Sequence, residues 1–232
     1  MHIELPLKVK VWGDFACFTR PETKVERVSY DVMTPSAARN ILQAIFWKPQ
    51  FDWVVQEIQV LAPIRRMSIQ RNEVNTKCAA STVQGWSREG LGHFVIEDDR
   101  TQRHALILRD VAYVIAADVR VRPGTDAHPQ KYREQFLRRV ERGQCAWTPY
   151  LGCREFSAFF GPPEADDTPI AETNALGRML FDLTYSDRPD RSFGEGKPLF
   201  FNARLDGGVL RVPPELYDVT LEGKTSRGSY VA

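Results

Sequence analysis

Residues 29–49 read SYDVMTPSAARNILQAIFWKP, and the reading of this stretch decides the fold. Thr34 suits an N-cap, because its hydroxyl can accept a hydrogen bond from an orphan N–H of a first helical turn. Pro35 suits the first helical position, where a missing N–H costs nothing. Ala38, Ile41, Leu42 and Ile45 recur at i, i+3, i+4 and i+7, one face of a 3.6-residue period. Pro49 stops the element, since the residue before a proline is pushed out of the α region. The spacing predicts a helix over 35–47. Arg39 lies off the apolar stripe, and Phe46, Trp47 and Lys48 close the helix with two rings and a cation. Those rings read equally as core packing or as an exposed stacking surface.

Toward the N-terminus, Ile3, Leu5, Leu7, Val9 and Val11 alternate with more polar neighbours, which predicts a strand over 3–12. Past the helix, 51–61 (FDWVVQEIQVL) reads as a second strand bounded by Pro49 and Pro63. Residues 64–75 and 104–111 read as the arms of a long hairpin with a polar, glycine-containing tip. This insertion, 64–111, carries Arg65, Arg66, Arg71, Lys77, Arg88, Arg100, Arg103 and Arg109, diluted by Glu97, Asp98 and Asp99. It reads as a basic nucleic-acid finger or as a solvated flap. An apolar strand over 112–121 ends at Pro123-Gly124. A second helix is predicted over 129–142, with Tyr132, Phe136, Leu137 and Val140 as its stripe. Lys131, Arg133, Arg138, Arg139 and Arg142 crowd its other faces, and Gly143 ends it. Residues 149–160 supply a turn and another strand. The order is then β-α-β, hairpin, β-α-β: an α+β, ferredoxin-like (RRM-like, split βαβ) domain over 1–160. Residues 161–232 read as a small antiparallel β appendage, with Gly207-Gly208 as a tight hairpin turn.

With 232 residues, 43% hydrophobic and 26% charged, the chain has ample core for a globular domain. No apolar run approaches the roughly 18 residues of a membrane helix. The start lacks the basic and apolar regions of a signal peptide, so the cytoplasm is the expected compartment. Cys17, Cys78, Cys145 and Cys153 contain no C-x-x-C pair, and reduced, mostly buried thiols are expected. The net charge of +1 hides an asymmetry: residues 1–160 hold 23 Lys+Arg against 18 Asp+Glu, and the remainder 8 against 12. A basic front suits a polyanionic partner.

The spacing of acids and histidines forms no metal-ligand cluster, so neither metal nor other cofactor is expected. There is no Walker sequence and no nucleophile elbow. What remains is metal-free chemistry of Lys, Tyr, His and Arg. RNA suits such groups, because it carries its own nucleophile in the 2′-hydroxyl. An enzyme then only orients that hydroxyl, moves a proton and stabilises charge on the phosphate.

Three blocks, WGDFACFTRPETKVERVSYDVMTPSAARNILQAIFWKP, PIRRMSIQRNEV and PYLGCREF, resemble the Cas protein five family of CRISPR systems in its type I-C (Dvulg) form. This is a family of the RAMP superfamily, built on ferredoxin-like folds. The resemblance runs through most of residues 3–160 and more thinly beyond. It implies a metal-independent endoribonuclease that cleaves precursor CRISPR RNA at the base of the repeat hairpin, leaving a 2′,3′-cyclic phosphate and a 5′-hydroxyl. It also implies that the protein stays on the mature crRNA 5′ handle, in a surveillance complex with backbone and large subunits. Duplex DNA is a further candidate partner.

In the family the helix ending W-K-P has a tyrosine where this chain has Phe46, and a Lys-His pair where it has Lys131-Tyr132. Lys131 is the retained catalytic candidate, able to stabilise a phosphorane. Tyr132 and His128 are candidates for proton transfer, although Tyr132 reads equally as core and His128 as a merely exposed turn residue. For RNA the candidates are Arg20, Lys24, Arg27, Arg39, Phe46, Trp47, Lys48 and Arg133, which supply rings for bases and cations for phosphates. The departures at Phe46 and Tyr132 support a second reading, a non-catalytic subunit that caps the RNA handle and assists assembly.

Overall fold

The computed structural model describes residues 5–23, 25–125, 128–184 and 197–218. Strand β1 (Leu7–Ala16) is followed by the short β2 (Arg27–Val28) and helix α1 (Pro35–Ile45). Next come β3 (Phe51–Val60), β4 (Arg65–Val74), helix α2 (Ala80–Glu89) and the long β5 (Arg100–Val121). Helix α3 (Pro129–Glu141), β6 (Phe159–Gly161), β7 (Asn174–Thr184), β8 (Lys197–Asp206) and β9 (Val209–Arg211) complete the described elements.

One mixed α/β architecture results, dominated by a sheet ordered β6-β1-β5-β3-β9-β8-β7. Every pairing along that path is antiparallel. Val9 pairs with Ile115, Ile115 with Ile58 and Ile58 with Leu210, so one row of fully buried aliphatic residues crosses four strands. The period-2 alternation of β1, with Leu7, Val9 and Val11 inward and Lys8 and Trp12 outward, turns its apolar face toward the helices. Helices α1 and α3 pack on that face and touch each other. The core around Ile41, Ile45, Trp53 and Phe136 fills the space between.

The hairpin insertion is present, since β4 pairs antiparallel with β5 from Arg65↔Arg109 to Val74↔Arg100. Three features differ from the expectation. The arm read as 104–111 and the strand read as 112–121 are one 22-residue strand. Asp110 within it takes a left-handed φ of 53°, next to Arg109, where the pairing with β4 begins. The tip contains helix α2, which buries no residue and therefore has no apolar stripe to announce it. The C-terminal strands, expected as a small appendage, hydrogen-bond to the same sheet through β9 beside β3. The sheet thus continues across residue 160. Gly207 and Gly208, both left-handed, make the expected tight turn between β8 and β9.

Candidate functional site

Helix α1 starts as the sequence requires. Thr34 Oγ1 accepts from the Ala37 N–H at 3.3 Å, and Ala38, Ile41, Leu42 and Ile45 are all buried. Its far end is held by its neighbours. Arg139 of α3 donates to the Ile45 carbonyl at 2.7 Å, capping an orphan acceptor, and lies over the Phe46 ring at 5.2 Å. The Phe46 carbonyl accepts from Trp53 Nε1 at 2.9 Å. The Phe46 ring, 1% exposed, packs on Phe51 at 5.5 Å and on Tyr132 at 6.5 Å. This ring cluster fixes the end of α1 against the first turns of α3. Trp47 and Lys48 follow at once and are exposed, Trp47 to 46%.

Helix α3 starts with a histidine cap. His128 Nδ1 accepts from the Gln130 N–H at 3.2 Å, so the proton of the neutral ring sits on Nε2. His128 and Lys131 are both exposed. Tyr132, only 6% exposed, belongs to the core with Phe136 and Val140. The apolar stripe decided its place. Leu137, predicted for the same stripe, is instead exposed.

The remaining candidates divide by what holds them. Arg133 is buried, ion-paired with Asp118 and bonded to the Leu5 carbonyl. It is a tie within the fold rather than the RNA contact expected. Phe46 is likewise core, not a stacking platform. Arg39 pairs with the buried Asp182 at 2.8 Å and reaches Gln43. Arg20 lies over the Tyr30 ring at 4.5 Å. Arg27 faces Cys153, Glu155 and Glu73. Lys24 lies outside the described residues. Trp47, Lys48, His128 and Lys131 are therefore the candidates that face solvent.

Sequence reasoning missed Trp147. Its N–H and that of Ala146 both donate to the Ala44 carbonyl, at 3.4 and 2.8 Å, which lays the 144–147 loop along the end of α1. Trp147 is 53% exposed, so a second open indole stands near the Trp47 end. The glutamine, alanine and threonine around it carry no periodic signal. The finger fares differently from its composition, because Arg65, Arg66 and Arg71 are paired with Asp110, Asp31, Glu73 and Glu155. Of the thiols, Cys17 and Cys153 are buried, Cys78 is intermediate and Cys145 exposed. Among the described residues one group of carboxylates, Glu164, Asp166 and Asp167, is close enough to share a cation. Lys10 already lies against it, at 3.2 Å from Glu164 and 2.6 Å from Asp167.

A family model described as CRISPR-associated protein (Cas_Cas5) matches residues 6–213. The chain belongs to this Cas5 family. The Cas5 chain is 49% identical over 224 residues to a protein of Thermus thermophilus named CRISPR pre-crRNA endoribonuclease Cas5d, covering 91% of this chain and 93% of that one. A protein of the same name from Mannheimia succiniciproducens is 46% identical over 220 residues, covering 90% and 95%. A solved structure described as a CRISPR-associated protein shares the fold, with a TM-score of 0.61 at 21% identity, covering 92% of the Cas5 chain and 95% of its own. No described helix of this Cas5 protein is long and apolar enough to cross a membrane.

Proposed function

We propose that this chain is a metal-independent endoribonuclease that cleaves precursor CRISPR RNA at the base of the repeat hairpin and stays on the 5′ handle of its product. The observation that carries the reading is the exposed His128 and Lys131 at the start of α3, set beside the end of α1 by the Phe46–Tyr132 contact. Relatives at 49% and 46% identity named pre-crRNA endoribonuclease support it. The strand order supports the scaffold: β1, β3, β5 and β6, taken as first to fourth, lie fourth-first-third-second. With α1 and α3 on one face, this order supports reading the sheet as a ferredoxin-like split βαβ unit.

In the proposed reaction the RNA 2′-hydroxyl attacks the adjoining phosphate, and the 5′-oxygen of the next nucleotide leaves. The Lys131 ammonium stabilises charge on the phosphate oxygens. The 2′-hydroxyl proton passes to water, and His128 in its imidazolium form, turned off the Gln130 N–H, gives its Nε2 proton to the leaving oxygen. The products are a 2′,3′-cyclic phosphate and a 5′-hydroxyl. Tyr132 acts by packing, fixing the turn that carries Lys131. Trp47 stacks on a base of the handle and Lys48 meets a phosphate. Arg20, Arg27, Arg39 and Arg133 stiffen the surface through their internal partners. The product-bound form joins the backbone and large subunits of a type I-C complex.

Cleavage of a cognate repeat hairpin in excess chelator tests this, with wild type beside Lys131→Ala and His128→Ala. Each variant is expected to lose about 100-fold or more in cleavage rate while RNA binding changes little. Undiminished cutting by both variants would move the site elsewhere. A second reading, a non-catalytic handle-capping subunit, is favoured by the burial of Phe46 and Tyr132, which leaves proton transfer to His128. Tight binding by the wild type without a cut would establish that reading.

A further inference from the structure

Two buried thiols meet where the turn after α3 crosses the end of β1. The Cys17 N–H donates to the Leu151 carbonyl at 3.0 Å. Gly152 makes the approach possible: at φ +86° it carries no Cβ, and one placed there would lie 2.1 Å from the Cys17 carbonyl oxygen. Cys153 Sγ donates to that same oxygen at 3.5 Å. Thr19 Oγ1 touches both sulfurs, at 3.5 Å from Cys17 and 3.9 Å from Cys153. Arg27 Nη1 donates to Cys153 Sγ at 3.2 Å.

These groups make the two sulfurs unequal. Cys153 keeps 9% exposure while Cys17 has 1%. Contact with the Cys17 thiol, then the Arg27 guanidinium and Thr19, bring Cys153 down to about 6 against the burial that raises it. The facing Cys153 sulfur, then burial, push Cys17 upward. The other charges nearby are Glu73 and Glu155, which sit against Arg27 at 3.9 and 3.5 Å and are shared with Arg71. On losing its proton, and with it the bond to the Cys17 carbonyl, Cys153 becomes a thiolate beside the Arg27 cation, backed by a neutral thiol. RNA cutting as described above uses neither sulfur.

We propose that Cys153 and Cys17 form a peroxide-reactive dithiol, with Cys153 as nucleophile and Cys17 as resolving thiol, which closes to an intramolecular disulfide. The Cys153 thiolate attacks one oxygen of hydrogen peroxide, the O–O bond breaks, and hydroxide leaves, taking a proton to become water. Cys153 is then a sulfenic acid. The Cys17 sulfur attacks the Cys153 sulfur and the S–O bond breaks. The hydroxyl departs with the Cys17 proton as a second water. Two electrons pass from the sulfur pair to the peroxide. The disulfide ties the end of β1 to the 151–153 turn and removes the anion facing Arg27.

The test uses the full chain carrying Cys78→Ser and Cys145→Ser, so that only the buried pair can react. Brief exposure to hydrogen peroxide is followed by thiol counting and peptide mapping of the folded protein. The expected result is loss of both thiols, a mass lower by two hydrogen atoms, and a linked peptide pair containing residues 17 and 153, reversed by dithiothreitol. With Cys17→Ala added, dimedone should trap a sulfenic acid on Cys153. Iodoacetamide labelling of Cys153 at about pH 5, below the thiol's pKa, should slow about tenfold in Arg27→Gln, as expected for a rise of roughly one pKa unit. Two intact thiols after peroxide, or a map without the linked pair, would overturn the proposal. None of these readouts involves RNA, so their outcome is separate from that of the cleavage assay.

Discussion

Phe46 and Trp47 are adjacent in the chain and have opposite surroundings. Phe46 is enclosed by Phe51, Tyr132 and the Arg139 guanidinium, whereas Trp47 presents almost half of its surface to solvent. Truncating each to alanine should separate folding from binding. Phe46→Ala empties a core site and should cost about 3–5 kcal/mol in urea unfolding. Trp47→Ala should leave the urea midpoint nearly unchanged and weaken repeat-RNA binding by about 1–3 kcal/mol, read by filter binding. The residue types at 46–48 were legible as two rings and a cation, but their division was not. Helical periodicity stops at the C-cap, and beyond it side-chain direction depends on how the exit strand leaves. The same limit applies to the arginines. Arg39 and Arg133 look alike as charges in a sequence, yet Asp182 and Asp118, their partners, are found only through the fold.

Helix α1 was legible because every local signal agrees: a threonine cap, a proline at the first position, a four-residue stripe and a following proline. Helix α3 was legible for the same reason, with His128 taking the cap. Helix α2 was not. It has no buried face, no side-chain cap at Ala79 and a glycine in its interior, so its sequence reads as a polar tip. Residues 75–99 close on themselves, with the Asn75 N–H donating to the Asp99 carbonyl at 2.9 Å and Thr76 bonding the Asp99 carboxylate. An excision at the element scale follows from this. Replacing residues 76–98 by Asn-Gly, a two-residue hairpin turn, should leave the melting temperature within about 5 °C, because that step removes little buried surface. A larger fall in circular-dichroism melting would mean that the tip packs on the body.

At the scale of the molecule, β3 is flanked by β5 on one side and β9 on the other, and Tyr217 accepts from the Val55 N–H at 2.9 Å. Met179, Phe181 and Leu205 share one core with Val9 and Ile41. Calorimetry should therefore give a single transition with calorimetric and van't Hoff enthalpies nearly equal. A separate early transition would show that the C-terminal strands melt as their own unit. The sequence by itself determined the places of α1, α3 and most of the strands, how α1 begins, and the Cas5 family, because caps and periods of 2 and 3.6 are set by neighbours a few residues apart. Only the tertiary structure decided that β5 is one strand, that β9 joins β3, which arginines are spent inside the fold, and that Cys17 meets Cys153. Those contacts join residues tens to more than a hundred positions apart, and pairing at that range follows from sheet register and packing, which no local pattern encodes.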